Sequence, residues 1–434
     1  MDKSARQLAL EALISVAKNG KSSSDVTGSF DTLEGQDRGL AMELLYGCLH
    51  HYYSLKATTR LLLERPLKSR DFDIQLTMML GIYQLLHTRI PDHAVVHETV
   101  QLADGRNKAW AKNLLNAVLR RVQREGLPVN KLSAHEQANL PSWLYDQIQQ
   151  DWQTQADKII TETHQRAPLM LRVNPLKTTR DDYQQLLQKA EFEFDLHDQL
   201  DSAIKLKRSM DVTSLPGYDQ GLFSVQDAAA QCAANILDPQ PGEKILDACA
   251  APGGKSAHIL ELSNQDCQLV AIDNQANRLQ RLEENLQRLG LQAEVRLGDA
   301  IETKDWLSSD DEQFNRILCD VPCSATGIIR RHPDIALHRT SKDVRKLNQI
   351  QWRILKSLWQ LLKPGGIMVY STCSILKSEN ETMVANFLKQ QPEASLIPFT
   401  LGNGAIAKEG LWQIFPGEMD MDGFFYAKLK KAQA

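Results

Sequence analysis

Two cysteines stand where a thiol could do chemistry. Cys323 closes the stretch Asp-Val-Pro-Cys that begins at Asp320, and Cys373 closes Tyr-Ser-Thr-Cys; each directly follows a run of strand character. As a thiolate, such a group can attack an electron-poor carbon and divide one hard step into easier ones. Carbon 5 of a cytosine ring is a centre that needs this help, being too weak a nucleophile to take a methyl group from a sulfonium. Thiolate addition at carbon 6 makes it enamine-like. Loss of the carbon 5 proton and expulsion of the thiolate must follow, and the first of these calls for a positioned base. The plainer fate of a free cysteine is that of a small buried hydrophobe. Cys319, inside its strand, fits that description, whereas Cys323 and Cys373 each lie in a specific motif.

A methyl donor needs a site of its own. The run Leu-Asp-Ala-Cys-Ala-Ala-Pro-Gly-Gly-Lys-Ser, Leu246 to Ser256, is rich in small residues that let a ligand approach the backbone, and a helix start after it offers free N–H groups. Gly254-Lys255-Ser256 matches the end of a P-loop, but that motif needs a glycine where Cys249 stands. A dinucleotide fold would want G-x-G-x-x-G, which is absent. S-adenosylmethionine fits better, since it needs no pyrophosphate cradle and its carboxylate can use the loop amides. Asp273 ends the next strand candidate, in a place suited to ribose hydroxyls, and Asp299 ends the one after, near the expected adenine edge. Any one of these acids alone is more simply a turn or N-cap residue. With Asp247, three acids after three successive strands make a joint coincidence harder to sustain.

The elements that must carry these residues alternate. KILDAC, QLVAID, AEVRLGD, RILCDV and GIMVYST read as strands, with helical patterns between them, the strongest over Val344–Leu362 and closed by Pro364-Gly365-Gly366. Such alternation predicts a mainly parallel, doubly wound sheet with ligands outside the strands' carboxyl ends. Ahead of it, PLMLRVNP, EFEFDL and AIKLKRS with a helix at Asp181–Ala190 predict a small α+β module. A helical connector is expected over Ala134–His164. The first 125 residues read as wholly helical, with apolar periodicity in Leu8–Val16, Leu40–Leu49 and Leu76–Leu86, and with Gly28, Gly35, Pro66, Gly81 and Pro91 breaking or separating the runs.

Charge is informative only when divided. Residues 1–140 carry 18 Lys+Arg against 15 Asp+Glu, and the rest carry 32 against 39, which permits nucleic-acid binding at the front without demonstrating it. Asp104–Arg124 holds six basic residues against one acid. Trp110, Leu114, Leu115, Val118 and Val122 would share an apolar arc there, with Arg106, Arg120 and Arg124 outside it. That outer face is either a solvated surface or a phosphate-binding ridge. The N-terminus is an amphipathic helix pattern, and no run approaches a membrane span. Seven scattered cysteines make no disulfide framework, and Cys319 with Cys323 lacks the second pair that a zinc site needs. The chain is therefore expected to be cytosolic, monomeric and metal-free.

Taken together, LDACAAPGGKS, AIDNQANRL, GDA, DVPCSATGIIRRHPDI, YSTCSILKSEN and DGFFYAKLKK resemble the motifs of the RNA cytosine-5 methyltransferase family, over about Gly221 to Lys431. Residues 1–130 are similar to a NusB-type helical RNA-binding domain. The resemblance implies a Rossmann-like α/β methyltransferase domain at 219–434, preceded by the all-α domain at 1–130, a helical connector at 131–167 and a small α+β module at 168–218. It implies Cys373 as nucleophile, Cys323 as the residue that aids product release, and Asp320 as a further catalytic group. Cys249, Ala250, Ala251, Pro252, Gly253, Gly254 and Lys255 would form the S-adenosylmethionine loop, with Asp273, Asp299 and Asp320 completing the cofactor contacts. Lys255 would also reach the reacting base. The implied substrate is a cytosine of small-subunit (16S) ribosomal RNA, in an unpaired position because a stacked base would have to be extruded. Ser256 stands where the family more often has Thr, Val321 where it has a smaller residue, and HPDIALHRT departs from its usual continuation. A non-enzymatic RNA-binding assembly factor and a methyltransferase for proteins or small molecules are the competing classes. The first has no need of the intact cysteines, Asp320 and glycine loop; the second has no use for the cysteine pair.

Overall fold

A computed structural model describes residues 3–104, 108–208, 210–309, 311–401 and 405–433. The chain forms two compact units, one of residues 1–164 with 329–341, the other of 165–328 with 342–434.

The first unit is helical throughout its described residues. Its first helix, Ala5–Asn19, starts in a capping box in which the Ser4 hydroxyl accepts from the Gln7 N–H and the Gln7 side chain accepts from the Ser4 N–H. Helices Gly35–His50, Tyr52–Leu62, Asp92–Gln101 and Ala111–Glu125 surround the helix Phe72–His87, whose residues 76–84 are all buried. Gly81 does not break that helix, contrary to the sequence expectation. It lies in its middle because a Cβ there would stand 2.8 Å from side-chain carbons of Leu119 and Thr99. The gap is what lets the helices approach. Helices Ser142–Trp152 and Ala156–Thr163 belong to the same unit. The segment 329–341, which contains the HPDIALHRT stretch, also lies here. In it the Asp334 carboxylate accepts from the Ser23 hydroxyl, the Ala336 carbonyl accepts from the Tyr53 hydroxyl at 2.9 Å, and the Arg339 carbonyl accepts from Trp143 Nε1 at 3.1 Å.

The basic helix begins later than its sequence pattern suggested, at Ala111. Trp110 is the residue before it and is 54% exposed, so it is not part of the apolar face, which is made by Ala111, Leu115, Val118, Leu119 and Val122. Arg120, Arg121 and Arg124 are exposed, Arg121 paired with Glu125 at 2.9 Å. Arg106 lies outside the described residues.

The second unit opens with β1 (Leu169–Val173), β2 (Phe194–Leu196), β3 (Ala203–Leu206) and β4 (Phe223–Val225), an antiparallel sheet in the order β2-β3-β1-β4 with the helix Arg180–Lys189. β4 was not marked by patterning; at three residues it is too short to alternate visibly.

The larger sheet contains β5 (Lys244–Ala248), β6 (Gln268–Asp273), β7 (Glu294–Leu297), β8 (Phe314–Asp320), β9 (Leu362–Thr372), β10 (Ala394–Leu396), β13 (Leu411–Ile414) and β14 (Phe424–Lys431). Between β10 and β13, β11 (Phe399–Leu401) and β12 (Ala405–Ala407) pair with each other. The main order is β10-β14-β9-β8-β5-β6-β7, with β13 also on β14. β5 to β9 are parallel, and β14 is antiparallel to β9. All five expected strands are present. β9 starts at Leu362, however, and takes in Pro364-Gly365-Gly366, while the preceding helix is Ser341–Gln360.

Both faces of this sheet are covered, which is why its strands read as apolar runs rather than alternating ones. Ile245, Leu269, Ala271, Leu318 and Val369 pack with helices Ala228–Leu237, Gly254–Leu262 and Ala276–Leu289. Their neighbours Leu246, Val270, Ile272, Ile317, Cys319 and Met368 pack with Ser341–Gln360 and Glu381–Gln390. The order reverses between β5 and β8, so a cleft opens outside the ends of those strands.

Candidate active site

β5 delivers the chain into the loop Cys249–Gly253, and the helix starting at Gly254 carries Lys255 and Ser256. Cys249 and Gly253 both take left-handed backbone conformations, φ 61° and 95°. A side chain at Gly253 would be strained, and its Cβ would meet Leu282 at 2.9 Å. The Ala250 N–H donates to the Ile272 carbonyl at 2.8 Å and the Gly253 N–H to Ala250 at 2.8 Å, which hold the turn closed. Ala250 and Ala251 are buried, Pro252 is exposed, and the Ala251–Pro252 peptide is cis. Cys249 faces the acids of the cleft: burial, then the charges of Asp320, Asp273 and Asp247, push its thiol well up. That is the environment of a packing thiol, not a reactive one.

Asp273, buried at the end of β6, serves this loop directly. Its Oδ2 accepts from the Ala251 N–H at 3.3 Å and pairs with Arg278 at 3.2 Å, while Oδ1 accepts from the Gln275 N–H at 3.1 Å. Arg278 also donates to the Ala251 carbonyl at 2.6 Å. Asp299 lies just past β7, half-buried, and its Oδ1 takes the Ile301 N–H at 2.8 Å in an Asx turn.

The donor set of this cleft fits a zwitterionic cofactor. Asp247, at the end of β5, is fully buried; its Oδ2 accepts from the Ser256 hydroxyl at 2.5 Å, and its Oδ1 has no partner among the described residues. Burial foremost, and the neighbouring Asp320 and Asp273 charges, raise this carboxyl to about 7 against the help of Ser256 and Lys255. An orphaned carboxylate oxygen beside a glycine-rich helix start suits a ligand that brings both an ammonium and a carboxylate.

β8 and β9 are neighbours, with Asp320 opposite Ser371 in register. That pairing sets the chemistry-bearing loops side by side. The Sγ atoms of Cys323 and Cys373 lie 3.4 Å apart. Cys373 is half-buried and Cys323 is 8% exposed. The Cys373 carbonyl accepts from the Gly327 N–H at 2.9 Å, and the Gly327 carbonyl accepts from the Gly423 N–H at 2.9 Å. Asp320 accepts from Lys255 Nζ at 2.5 Å and, on its other oxygen, from the Ser371 hydroxyl at 2.7 Å. Burial works against the Lys255 cation, but the Asp320 charge and hydrogen bond outweigh it and hold the ammonium above the usual lysine range. The hydrogen bond to Cys373, burial, and the Cys373 and Glu379 charges push the Cys323 thiol well up.

The site residues named from the sequence therefore all lie at or just past the carboxyl ends of β5, β6, β7, β8 and β9. Several partners were missed: Ser371, Arg278, and a buried set around Arg172. Arg172, in the middle of β1, is fully buried and donates to Glu261 through Nε and Nη2 at 2.9 and 2.8 Å, to the Gly254 carbonyl at 2.8 Å, and to Gln226. The signal was present, as an arginine at an inward strand position and a glutamate on an apolar helix face.

A doubly wound sheet with a glycine loop after its first strand and acids after the next defines the chain as a Rossmann-like methyltransferase with a helical domain ahead of it. Three family models match: the NusB family over residues 3–124, the ferredoxin-like domain of RsmF/B-like methyltransferases over 140–213, and 16S rRNA methyltransferase RsmB/F over 234–430. The ribosomal RNA small subunit methyltransferase B of Vibrio vulnificus is 43% identical over 430 residues, covering 98% of this chain and 99% of that protein. That of Serratia proteamaculans is 42% identical over 429 residues, 98% of each. A methyltransferase homolog from Pyrococcus horikoshii of known structure is 30% identical, with a TM-score of 0.60 over 69% of this chain and 100% of its own. The chain belongs to the 16S rRNA methyltransferase RsmB/F family.

Proposed function

We propose that the protein methylates carbon 5 of one cytosine in 16S ribosomal RNA, with Cys373 as nucleophile and Cys323 as the residue that aids release. The observation that carries this reading is the 3.4 Å approach of the two sulfurs beside the Lys255–Asp320 pair. S-adenosylmethionine, when bound, supplies an electrophilic methyl group. The loop Cys249–Lys255 with Asp247, Asp273 and Asp299 would hold it, consistent with the unsatisfied Asp247 oxygen.

On the protein's side, the Cys373 thiolate adds to carbon 6, and the electron pair displaced toward carbon 5 makes that atom nucleophilic. Lys255 and Asp320 orient the ring and hold a proton against its polar edge. After carbon 5 is methylated, a base takes its proton, the double bond re-forms, and the pair of the carbon–sulfur bond leaves with Cys373. Cys323, in contact with that sulfur, assists its departure. Residues 1–130, with the exposed Arg120, Arg121 and Arg124, would bind RNA phosphates.

The test is incubation with labelled methyl donor and unmodified 16S RNA, followed by mapping of modified cytosines. Cys373→Ala is expected to abolish turnover, and Cys323→Ala to accumulate a denaturant-resistant protein–RNA adduct. Wild-type protein that transfers no methyl to RNA refutes the reading. Variants with the two behaviours exchanged refute the division of roles.

A further inference from the structure

Six residues beyond Cys373, Glu379 is fully buried between the two cysteine loops. Its carboxylate accepts four hydrogen bonds. Oε1 takes the Ser324 N–H at 2.8 Å and Gln351 Nε2 at 2.9 Å; Oε2 takes the Ser324 and Ser374 hydroxyls, each at 2.5 Å. Ser324 follows Cys323 directly, and Ser374 follows Cys373 directly. Thr326 closes the ring, 3.1 Å from the Ser324 hydroxyl and 3.2 Å from that of Ser374. A single side chain thus holds both sulfur-bearing loops. Double attachment of this kind fixes relative position far better than strand pairing alone, because each loop's exit direction is also set.

The Glu379 charge also acts on Cys323, helping the Cys373 contact and burial to push its thiol well up. The Tyr370 hydroxyl donates to the Glu379 carbonyl at 2.7 Å. An anion beside a thiol disfavours its thiolate.

Resting on the function proposed above, we infer that Glu379 is a positioning residue that clasps the Cys323 loop to the Cys373 loop and, by its charge, keeps the Cys323 sulfur protonated beside its neighbour. The carboxylate acts through the two loops it holds.

Thiol reactivity against pH reads this without RNA or methyl donor. Full-length protein is treated briefly with a small thiosulfonate over a range of pH, and modification at each cysteine is quantified by mass spectrometry. The midpoint of each profile, unlike its amplitude, does not depend on accessibility. In wild-type protein the Cys323 midpoint is expected above that of an ordinary cysteine thiol. In Glu379→Gln the Cys323 midpoint moves down by about one pH unit, a roughly tenfold gain in its reactivity below the midpoint, while Glu379→Asp keeps the wild-type midpoint. The fully buried Cys232 and Cys319 report any unfolding of the variants. A wild-type Cys323 midpoint at or below that of an ordinary cysteine thiol overturns the inference even if no variant folds. So does a Cys323 midpoint that stays put in Glu379→Gln, or one that moves equally in Glu379→Asp. Absence of methyl transfer to RNA would refute the proposed function and leave these profiles unchanged, so the two failures are distinguishable.

Discussion

Replacing Arg172 by methionine should be among the most damaging single changes outside the reacting groups. The guanidinium and the Glu261 carboxylate are both wholly without solvent contact, and they meet through two parallel hydrogen bonds at 2.8 and 2.9 Å. Methionine fills much of the volume, so the loss is mainly electrostatic: a buried carboxylate without its cation, plus the stranded Gly254 carbonyl and Gln226 amide oxygen. Breaking a buried pair from one side costs about 3–5 kcal/mol, whereas replacing both partners by apolar groups of similar size is often close to neutral. For a unit of this size each kcal/mol moves the thermal midpoint by about 2–4 °C, so Arg172→Met should lower it by about 6–20 °C. The assay is thermal and urea unfolding of Arg172→Met, Glu261→Leu and the double variant, with cofactor affinity measured alongside by calorimetry. The double variant should recover much of the loss of either single one. Its cofactor affinity should stay low, because the Gly254 carbonyl at the head of the loop helix still lacks its donor. A cost under about 1 kcal/mol for Arg172→Met, or a double variant as unstable as the worse single one, would show that the pair is not what ties β1 to the cofactor loop.

The remaining expectations concern the cleft itself. Asp247 titrates near 7 in the folded protein against 3.8 ordinarily, so the native state binds the extra proton: its contribution is present below the ordinary value and is lost as pH rises toward 7. Asp247→Asn should therefore flatten the fall in stability over that window in urea unfolding, and a variant slope equal to the wild type would disprove the buried-acid account. Gly327→Ala should uncouple the loop from Cys373, because an added Cβ would lie on the Gly423 carbonyl oxygen, with both backbones already bonded there. A destabilisation of about 1–3 kcal/mol and loss of methyl transfer are expected, against little change for Gly28→Ala, where nothing lies within 4 Å. Cys373→Ala and Cys323→Ala complete the set, separable by whether RNA remains attached after denaturing electrophoresis.

Much of this molecule was legible in its residue order. Strand identity in the catalytic sheet follows from apolar runs of five to seven residues, and the cofactor loop from small residues that only a close ligand or tight turn requires. Both are local properties, carried by neighbours in the chain. The same logic misled at Gly81, which has the look of a breaker but is a contact surface, and at Trp110, whose helical phase was right for a helix that had not yet begun. Cys323 and Cys373 were marked by their motifs, yet 50 positions separate them, and only the parallel pairing of β8 with β9 makes them one site. Glu379 and Arg172 were decided by the tertiary structure alone, as was the complete burial of Asp247. Each is an ionisable group whose meaning depends on burial and on partners distant in sequence, and the free energy of a charge depends on exactly those surroundings.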